Sequence, residues 1–339
     1  MNTIRKISDD ILYIGASDRK IDLFENVLPI RNGVSYNNYV VLDEQTTLFD
    51  TADHTVGRQF FENLRTALDG RRLDFVVVHH MEPDHASTLE ELMLRYPEVK
   101  IVTNDKVVKM IGQFFDFPTE GRLQLVKEGD TLCTGRHTFA FVMAPMVHWP
   151  EVMVSYDTFS KTLFSADAFG SFGALCGNIF ADEVAYTTEW LDDMRRYYTN
   201  IVGKYGVQVQ GVLKKAAGLA IETICPLHGP VLRRPEEISF ILDKYQHWSI
   251  YQPEEKAVAI FYGSMYGNTE NACEVLATML AERGVKNIKM YDVARTDETL
   301  LIAEAFRVSH IVLAAPTYTN ALFGPMESFL LDLKNHDLK

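Results

Sequence analysis

The chain has 339 residues, of which 47% are hydrophobic and 23% charged, and its formal net charge is −13 at pH 7. This length is enough for two domains with sizeable cores, and the composition is typical of a globular protein. Because the chain is acidic and has no Lys/Arg-rich run, we expect neither nucleic acid nor a membrane as a partner.

The N-terminus and the cysteines both indicate a cytoplasmic protein. The first residues, MNTIRKISDDILYIGA, contain charges and no continuous apolar stretch, so they are not typical of a signal peptide. The four cysteines are scattered singly, which argues against a disulfide framework and against a CxxC motif. We therefore expect each cysteine to be a small buried apolar residue in a reducing compartment.

Short β-rich runs alternate with helical segments over the first 250 residues. Runs of apolar and β-branched residues predict a hairpin in NYVVLDEQTTLFD and strands in DFVVVHH, HTFAFVMAP and KTLFSAD. Helical spacing of apolar residues predicts helices in STLEELMLRY and DKVVKMIGQFF, and one long amphipathic helix in DEVAYTTEWLDDMRRYYTNIVGKYG.

The most linker-like stretch is WSIYQPEEKA, from Trp248 to Ala257, where Pro253 and three charges follow a helical pattern. After it, AVAIFYGS, NIKMYDV and HIVLAAPTY predict strands separated by helices. This regular alternation implies a parallel sheet with helices on both faces. We therefore predict a first domain over residues 1–250 and a second over residues 257–339.

Candidate metal ligands follow four predicted strands of the first domain, in DFVVVHH, HTFAFVMAP, KTLFSAD and AIETICP. Loops that leave strand ends can converge, and strands hold them rigidly enough for a metal site. A single histidine at a strand end is usually structural, but seven imidazoles and carboxylates that repeat this placement favour one shared site. They are His80, Glu82, Asp84, His85, His148, Asp167 and His228.

Four imidazoles and three carboxylates suit a pair of iron ions. Three ionised carboxylates nearly neutralise two Fe(II) ions, and hard oxygen donors stabilise the charge that oxidation adds. A hydrolytic zinc pair does not change valence and has no need of the third carboxylate. Zinc can still bind such a site, since N/O donors generally hold it more tightly than Fe(II), so a dizinc site stays open.

Three other residues near the predicted ligands are weaker candidates. Glu151, in MVHWPEVM, either orients an imidazole or lies on the surface. Tyr197 and Tyr198 have helical spacing and are expected in the core, from which one of them could hydrogen-bond a bound gas. His79 does not fit the ligand pattern and is expected to be structural or to support a ligand, while His137 is expected in solvent or in the core.

Two loops of the second domain are candidates for binding a phosphorylated cofactor. AIFYGSMYGNTENACEVLATML predicts a strand, a turn with glycine and hydroxyl groups, and a helix, whose free N–H groups attract anions. The turn lacks the GKS or GKT of a Walker loop, and an ordinary helix cap would explain it alone. The second loop follows the third strand, in HIVLAAPTYTNALFGPME, where an ordinary strand-to-helix turn is the alternative. The candidates are Ser264, Met265, Tyr266, Gly267, Asn268, Thr269, Pro316, Thr317, Tyr318, Thr319 and Asn320.

The order His-x-Glu-x-Asp-His, then His, Asp and His, resembles the flavodiiron proteins, or A-type flavoproteins. Zinc hydrolases of the same fold have His-x-His-x-Asp-His, so Glu82 stands where they have a histidine. The resemblance implies an α/β protein with an N-terminal metallo-β-lactamase-like αββα sandwich and a flavodoxin-like doubly wound parallel sheet. The turn from Ser264 to Thr269 resembles the flavodoxin phosphate loop, and the loop from Pro316 to Asn320 matches the one along the isoalloxazine ring of FMN.

The resemblance also assigns the metal ligands to two irons. It implies that the iron nearer the flavin takes His80, Glu82 and His148, that the other iron takes Asp84, His85 and His228, and that Asp167 bridges them.

The function that the resemblance implies is reduction of O₂ to water, of NO to N₂O, or of both. Two ferrous ions and reduced FMN together hold the four electrons that O₂ needs, while two NO molecules need two. The resemblance further implies a head-to-tail homodimer or a dimer of dimers, in which the FMN of one subunit lies beside the irons of the other. An external donor, rubredoxin or a reduced deazaflavin, would supply the electrons.

Two other functions remain as alternatives, a dizinc hydrolase and a non-catalytic electron carrier. Glu82 counts against the hydrolase, which also has no use for a flavin, and a carrier has no need of seven metal ligands. Only three βα units follow residue 257, whereas the flavodoxin-like fold has five strands. We therefore expect the last two strands to be missing and the chain to be incomplete at its C-terminus, with its retention of FMN in question.

Overall fold

The computed structural model describes residues 2–338. Its strands are β1 (Arg5–Lys6), β2 (Ile11–Tyr13), β3 (Ala16–Asp18), β4 (Leu23–Phe24), β5 (Leu28–Pro29), β6 (Val34–Tyr36), β7 (Tyr39–Val41), β8 (Thr47–Phe49), β9 (Phe75–Val77), β10 (Lys100–Thr103), β11 (Leu123–Leu125), β12 (Thr131–Cys133), β13 (Thr138–Met143), β14 (Met153–Asp157), β15 (Thr162–Phe164), β16 (Thr223–Cys225), β17 (Glu255–Tyr262), β18 (Ile288–Asp292), β19 (Val308–Ala314), β20 (Thr317–Tyr318) and β21 (Ala321–Leu322). Its α-helices are α1 (Gly57–Leu68), α2 (Pro83–Ala86), α3 (Leu89–Arg95), α4 (Asp105–Phe114), α5 (Leu191–Tyr197), α6 (Gly206–Ala216), α7 (Pro235–Trp248), α8 (Asn268–Glu282), α9 (Glu298–Arg307) and α10 (Gly324–Asn335).

Two mixed sheets form the first part of the chain. The larger has the strand order β1-β2-β7-β8-β9-β10-β11, and the smaller has the order β12-β13-β14-β15-β16. In the larger sheet, β2, β7 and β9 are buried on both faces, so apolar residues follow one another there without a polar alternation, whereas the edge strand β12 of the smaller sheet alternates between exposed and buried residues. Phe49 and Val77 belong to the core between the sheets, where the Phe49 ring stacks on Phe164 at a centroid distance of 3.9 Å. Leu48 and Val76 belong to the core under the helices.

Helices cover the outer faces of both sheets. Phe60 and Leu64 of α1 share one core with Leu48 of the larger sheet, and Ile241 of α7 shares it with Leu163 of the smaller sheet. The result is an αββα sandwich. Successive side chains of a strand point to opposite faces of its sheet, so one strand contributes both to the core between the sheets and to the core under the helices. Strand ends from both sheets meet at one edge of this sandwich, where the candidate ligands lie.

The third sheet has the strand order β18-β17-β19 and is entirely parallel. Val258 and Ile260 of β17 pack with Cys273 of α8 on one face. Ala259 and Phe261 pack with residues of α9 and α10 on the other face. Alternate residues of one strand thus serve two opposite helical layers, which is the doubly wound arrangement predicted from the sequence.

One predicted element is wrong: the stretch that begins at Asp182 is not a single helix. A 3-10 turn (Ala181–Glu183) and further turns precede α5, which continues into a π-helical segment (Tyr198–Val202), a 3-10 turn (Gly203–Tyr205) and then α6. The amphipathic spacing persists, but β-branched Ile201 and Val202 and the two glycines at the second junction weaken a regular helix there.

The prediction that every cysteine is buried is wrong for two of the four. All four are free; Cys225 and Cys273 are buried, whereas Cys133 and Cys176 are exposed. Cys133 ends β12, which is the edge strand of its sheet, and Cys176 lies in an irregular segment. In residues 2–338, no helix has the length and apolar composition needed to cross a bilayer.

The stretch proposed as a linker connects the end of α7 at Trp248 to the start of β17 at Glu255. The two parts of the chain pack together there, since the Tyr198 ring lies 5.9 Å from that of Phe306 in α9. The domain limits at residues 250 and 257 remain a prediction.

Candidate functional site

Four loops that follow strands bring the seven candidate metal ligands together. His80 and Glu82 follow β9 of the larger sheet, and Glu82 precedes the short helix α2, which contains Asp84 and His85. His148 lies between β13 and β14, Asp167 follows β15, and His228 follows β16, all in the smaller sheet. All seven are buried.

The first cluster consists of His80, Glu82, His148 and Asp167, with one donor atom from each within 4.8 Å of the others. Nε2 of His148 lies 3.0 Å from Oε2 of Glu82 and 3.3 Å from Nε2 of His80. Oδ2 of Asp167 lies 3.3 Å from both imidazole nitrogens.

The second cluster consists of Asp84, His85 and His228. Nε2 of His85 lies 3.1 Å from Nε2 of His228, and Oδ2 of Asp84 lies 3.3 and 3.2 Å from these two nitrogens. Oδ1 of Asp167 is 3.1 Å from His85 Nε2. Asp167 therefore presents one carboxylate oxygen to each cluster, which is the geometry of a bridging ligand.

The donor atoms suit two bound cations. Metal bonds of about 2.0–2.2 Å place neighbouring donors about 3.0–3.5 Å apart around one ion, which matches the distances within each cluster. Among the described residues, nothing hydrogen-bonds to either oxygen of Asp84, to Oδ2 of Asp167 or to Nδ1 of His85, although all are buried. Because unpaired buried polar atoms are costly, these atoms indicate a group that completes the site.

Protonation of His85 and His148 is favoured in the protein without metal. Burial disfavours the charged form of His85, but Asp84 and Asp167 outweigh it and raise the pKa of His85 to about 9. Burial also disfavours the charged form of His148, but Asp167 and Glu82 outweigh it and raise the pKa of His148 to about 9. The carboxylates of the two clusters thus favour added positive charge, which either protons or metal ions supply. Metal binding therefore releases protons.

Two imidazoles are oriented through their second nitrogen. Nδ1 of His80 lies 2.8 Å from Oε1 of Glu151, and Nδ1 of His228 lies 2.7 Å from the backbone oxygen of Ser35. Each contact directs Nε2 of the same ring toward a cluster. Of the two roles considered for Glu151, its burial and this contact favour the orienting one.

His79 lies outside both clusters and is held by two neighbours. Its Nδ1 is 2.6 Å from Oδ2 of Asp50, and its Nε2 is 2.7 Å from Oγ of Ser155. Asp50 also accepts a hydrogen bond from the His79 backbone N–H at 2.7 Å. Since all three side chains are buried, this network holds the chain just before His80.

The two tyrosine candidates occupy different surroundings. The Tyr197 ring is 5.5 Å from that of His228, and burial together with Asp167 and Asp84 raises its pKa. Tyr198 instead packs between Tyr245, at 4.9 Å, and Trp248, at 5.1 Å. Of the two, only Tyr197 contacts a candidate ligand.

Sequence reasoning missed Phe24 and Glu25, which lie beside the clusters. The Phe24 ring is 5.6 Å from that of His228. Residue 25 as a whole is exposed, but its carboxyl group hydrogen-bonds to Glu82, and burial of the group with the Glu82 charge raises its pKa to about 9. No local signal marks these residues, because they reach the clusters through a short hairpin far away in sequence. Asp50, in contrast, ends a strand as the candidate ligands do, and that position was a usable signal.

The two candidate cofactor loops lie side by side. They follow β17 and β19, which are adjacent and parallel, and α8 and α10 then leave to opposite faces of the sheet. Ligands bind in α/β sheets at such a switch point. The Gly263 N–H donates to the Ala314 carbonyl at 2.8 Å and so joins the two loops.

The first loop leaves donors free for an anion. Gly267 has a φ of 87°, and its N–H donates to Oγ of Ser264 at 3.1 Å. Within the described part of the chain, no side chain caps the N-terminus of α8. The N–H groups of the first turn, with Asn268 and Thr269, therefore remain available to a phosphate.

The second loop is not a simple turn into a helix. Thr317–Tyr318 pairs antiparallel with Ala321–Leu322, and Thr319 and Asn320 form the connection with φ values of 50° and 60°. Tyr318 is 53% exposed and Tyr266 of the first loop is 90% exposed, so two aromatic rings are available for a planar ligand.

The chain is similar to known proteins over most of its length. A family model described as "ODP family beta lactamase" matches residues 34–229. The anaerobic nitric oxide reductase flavorubredoxin of Klebsiella pneumoniae subsp. pneumoniae is 33% identical over 322 residues, which cover 93% of this chain and 65% of that protein. The protein of the same name from Aeromonas hydrophila is 32% identical over 334 residues, covering 96% and 66%. The chain thus spans slightly less than two thirds of the length of these curated relatives.

Solved structures have the same fold. The rubredoxin oxygen:oxidoreductase from the anaerobe Desulfovibrio gigas superposes with a TM-score of 0.92 at 30% identity, covering 99% of this chain and 83% of that chain. The flavodiiron protein from Giardia intestinalis has a TM-score of 0.93 at 23% identity, covering 99% and 80%. The predicted fold class, a sandwich followed by part of a doubly wound sheet, is confirmed.

Proposed function

Because the chain belongs to the flavodiiron protein family, we propose that it is an oxidoreductase that reduces NO to N₂O, O₂ to water, or both, with two non-haem irons and FMN as cofactors. The observation that carries the proposal is the carboxylate of Asp167, with one oxygen in each of two buried clusters. Three carboxylates in this set match a metal pair that gains charge when it is oxidised.

We assign His80, Glu82 and His148 to one iron and Asp84, His85 and His228 to the other, with Asp167 as the bridge. Two irons, when bound, supply electrons and an open coordination position for the gas. The carboxylates stabilise the positive charge, Glu151 holds the proton on Nδ1 of His80, and the Ser35 carbonyl does the same for His228. The rings of Phe24 and Trp149 lie against ligand imidazoles and exclude water from them.

FMN, when bound to the second part of the chain, would supply electrons to the metal site. The free N–H groups at the start of α8, with Ser264, Asn268 and Thr269, support binding of its phosphate. The exposed rings of Tyr266 and Tyr318 on neighbouring loops support binding of its flat ring system.

The relatives support both gases and one type of donor. The Klebsiella relative is named a nitric oxide reductase and the Desulfovibrio relative an oxygen oxidoreductase, so neither gas is favoured over the other. The second name also supports rubredoxin as the electron donor, with a reduced deazaflavin as the alternative. We further propose a head-to-tail homodimer or a dimer of dimers and, from the free cysteines, a cytoplasmic location.

Metal analysis of protein purified without oxygen from iron-replete cells tests the proposal. We expect about two irons per chain and loss of both NO and O₂ reduction after chelation. About two zincs without iron under the same conditions would contradict it and favour the dizinc hydrolase.

A further inference from the structure

A short hairpin lies against both candidate metal clusters. It consists of β4 (Leu23–Phe24) and β5 (Leu28–Pro29), with the Phe24 ring against His228 of one cluster and the Glu25 carboxyl group on Glu82 of the other. Glu25 and Asn26 at its turn have φ values of 51° and 57°. Because two-residue strands are not stable alone, the position of this hairpin depends on what packs against it.

The side chain of Arg196, in α5, is one of these contacts. The residue is 6% exposed, and its guanidinium donates a hydrogen bond to the carbonyl of Pro29, the last residue of the hairpin. The guanidinium also lies 5.8 Å from the centroid of the Phe172 ring, which packs on Phe24 at 5.5 Å. Arg196 thus contacts the hairpin directly and supports the ring beneath it.

The other side of the same guanidinium contacts the second part of the chain. Nε and Nη2 of Arg196 donate to Oγ1 of Thr299 at 2.9 and 2.6 Å, and Nη2 lies 3.5 Å from Oδ1 of Asp297. Asp297 caps the N-terminus of α9 by accepting from the Thr299 N–H at 3.0 Å. Helix α9 covers the sheet that contains the candidate flavin loops.

A buried guanidinium is costly unless its N–H groups are paired. Here the acceptors come from two distant segments, the Pro29 carbonyl on one side and the Thr299 hydroxyl with Oδ1 of Asp297 on the other, so Nε and Nη2 keep these partners only when both segments are in place. Movement of one acceptor therefore leaves donors unpaired and changes the energy of the contact to the other.

We propose that Arg196 is a positioning residue that holds the Leu23–Pro29 hairpin against the candidate metal clusters through a link whose other end is the N-terminus of α9. The proposed function enters only in treating the clusters as metal sites. A movement of α9, which covers the sheet with the candidate flavin loops, would then change the positions of the side chains that contact His228 and Glu82.

Hydrogen–deuterium exchange of the full chain without metal measures the link directly, because it reports local opening of residues 22–30. Arg196→Ala is expected to speed exchange of this segment by about tenfold or more, since charge-assisted hydrogen bonds are lost. Thr299→Val, which removes only the distant hydroxyl, is expected to speed exchange of the same segment, whereas Thr299→Ser retains the hydroxyl and the original rate.

A matched control tests whether any loss at this contact surface has the same effect. Asn200 also reaches Thr299, its Nδ2 donating to the Thr299 backbone carbonyl at 3.2 Å and to the Arg196 backbone carbonyl at 2.8 Å. Among the described residues it makes no hydrogen bond to the Arg196 guanidinium or to the hairpin. Asn200→Ala should therefore leave exchange of residues 22–30 unchanged. The double variant Arg196→Ala/Thr299→Val should exchange no faster than Arg196→Ala alone, because both remove one link.

Unchanged hairpin exchange in Thr299→Val would overturn the proposal, as would equal acceleration in Asn200→Ala. If Arg196→Ala does not fold, the comparison of Thr299→Val with Thr299→Ser decides. All of these measurements use protein without metal, so a failure to bind iron would overturn the proposed function and leave this test intact.

Discussion

At the scale of single residues, Asp167 is the side chain that contacts both candidate metal clusters. Its two oxygens lie 3.3 Å from His80 and His148 and 3.1 Å from His85, so one side chain belongs to both clusters. Burial opposes its ionisation, but His85 and the other imidazoles hold the pKa of this carboxyl well below its ordinary range. It therefore carries a negative charge between the two clusters.

Replacing Asp167 by Ala is expected to lower iron content from about two ions per chain to about one or fewer, since one ligand serves both ions. Metal analysis of anaerobically purified protein measures this, and gas reduction should fall with it. Asp182→Ala is the control, because Asp182 pairs with Arg233 away from both clusters. Full iron content in Asp167→Ala would rule out the bridging role.

His137 has a different environment, between two carboxylates away from the clusters. Its Nδ1 is 2.7 Å from Asp157 and its Nε2 is 3.1 Å from Asp10. Burial disfavours the charged ring, but Asp157 and Asp10 outweigh it and raise the pKa of His137. The side chain has no exposed surface, and its two contacts join the start of β13 to Asp157 of β14 and to Asp10 of the N-terminal segment.

A group whose pKa is raised on folding stabilises the protein fully below its unfolded pKa, about 6.5 for histidine, and loses that effect as pH rises through the folded pKa. His137→Asn is therefore expected to destabilise the protein by about 3–5 kcal/mol near neutral pH or just below, with a smaller deficit in alkali. Denaturation midpoints across pH measure this, with exposed His54→Asn as control. A deficit independent of pH would contradict the charged state.

At the scale of elements, the stretch from α5 to α6 changes its hydrogen-bonding pattern three times, from α to π, from π to 3-10 and back to α. The π-helical segment Tyr198–Val202 faces α9, and the following 3-10 turn ends at Tyr205, just before Gly206, the first residue of α6. A Cβ at Gly206 would overlap the carbonyl oxygen of Ser249, which follows α7. The absence of a side chain there lets α6 approach the end of α7.

Gly206→Ala is expected to destabilise the protein by about 1–3 kcal/mol, the range for overpacking. Gly211→Ala is its matched control in the same helix, because a Cβ there meets open space within 4 Å. That substitution should instead stabilise by about 0.5–1 kcal/mol, since alanine favours helix over glycine. Urea denaturation of both variants compares them, and shifts of the same sign would show that the close approach has no effect.

The N-terminus of α8 is the candidate phosphate-binding site. Thr269 lies in its first turn, where the backbone N–H groups are uncapped within residues 2–338. Thr269→Ala is expected to weaken FMN binding roughly tenfold to hundredfold, as for a lost hydrogen bond to a charged group, and to leave metal content unchanged.

Thr278→Ala is the control for Thr269, because its hydroxyl donates to the carbonyl of Glu274 within the same helix at 2.9 Å. Quenching of FMN fluorescence on titration with protein measures both affinities. Equal affinities in the two variants would mean that the phosphate lies elsewhere.

At the scale of the whole molecule, the sequence predicted the fold class and the family, and both are confirmed. Strand patterns are local, and polar residues at strand ends converge because strands align their ends, which is why seven distant residues could be grouped. The ligand assignment, the cofactor loops and the domain limits remain predictions. The contacts of Glu25 with Glu82 and of Arg196 with Thr299 were not predictable, since they join elements far apart in sequence and no local pattern of residues specifies which elements meet.

The long helix was mispredicted for a related reason. Amphipathic spacing reports which residues are buried, and Tyr197 and Tyr198 are buried as expected. It does not report the local hydrogen-bonding pattern, which depends here on packing against α7 and α9.

The two metal clusters take ligands from both sheets: His80 follows β9 in one, while Asp167 and His228 follow β15 and β16 in the other. Bound ions would therefore act as cross-links that close loops between residues 80 and 228, as a disulfide closes a loop. Such a cross-link penalises the unfolded chain, and every ligand that must be released on separating the sheets adds to the work of unfolding. Ions bound at these clusters would then join the two sheets of the sandwich to each other, and we expect their removal to lower the free energy of unfolding.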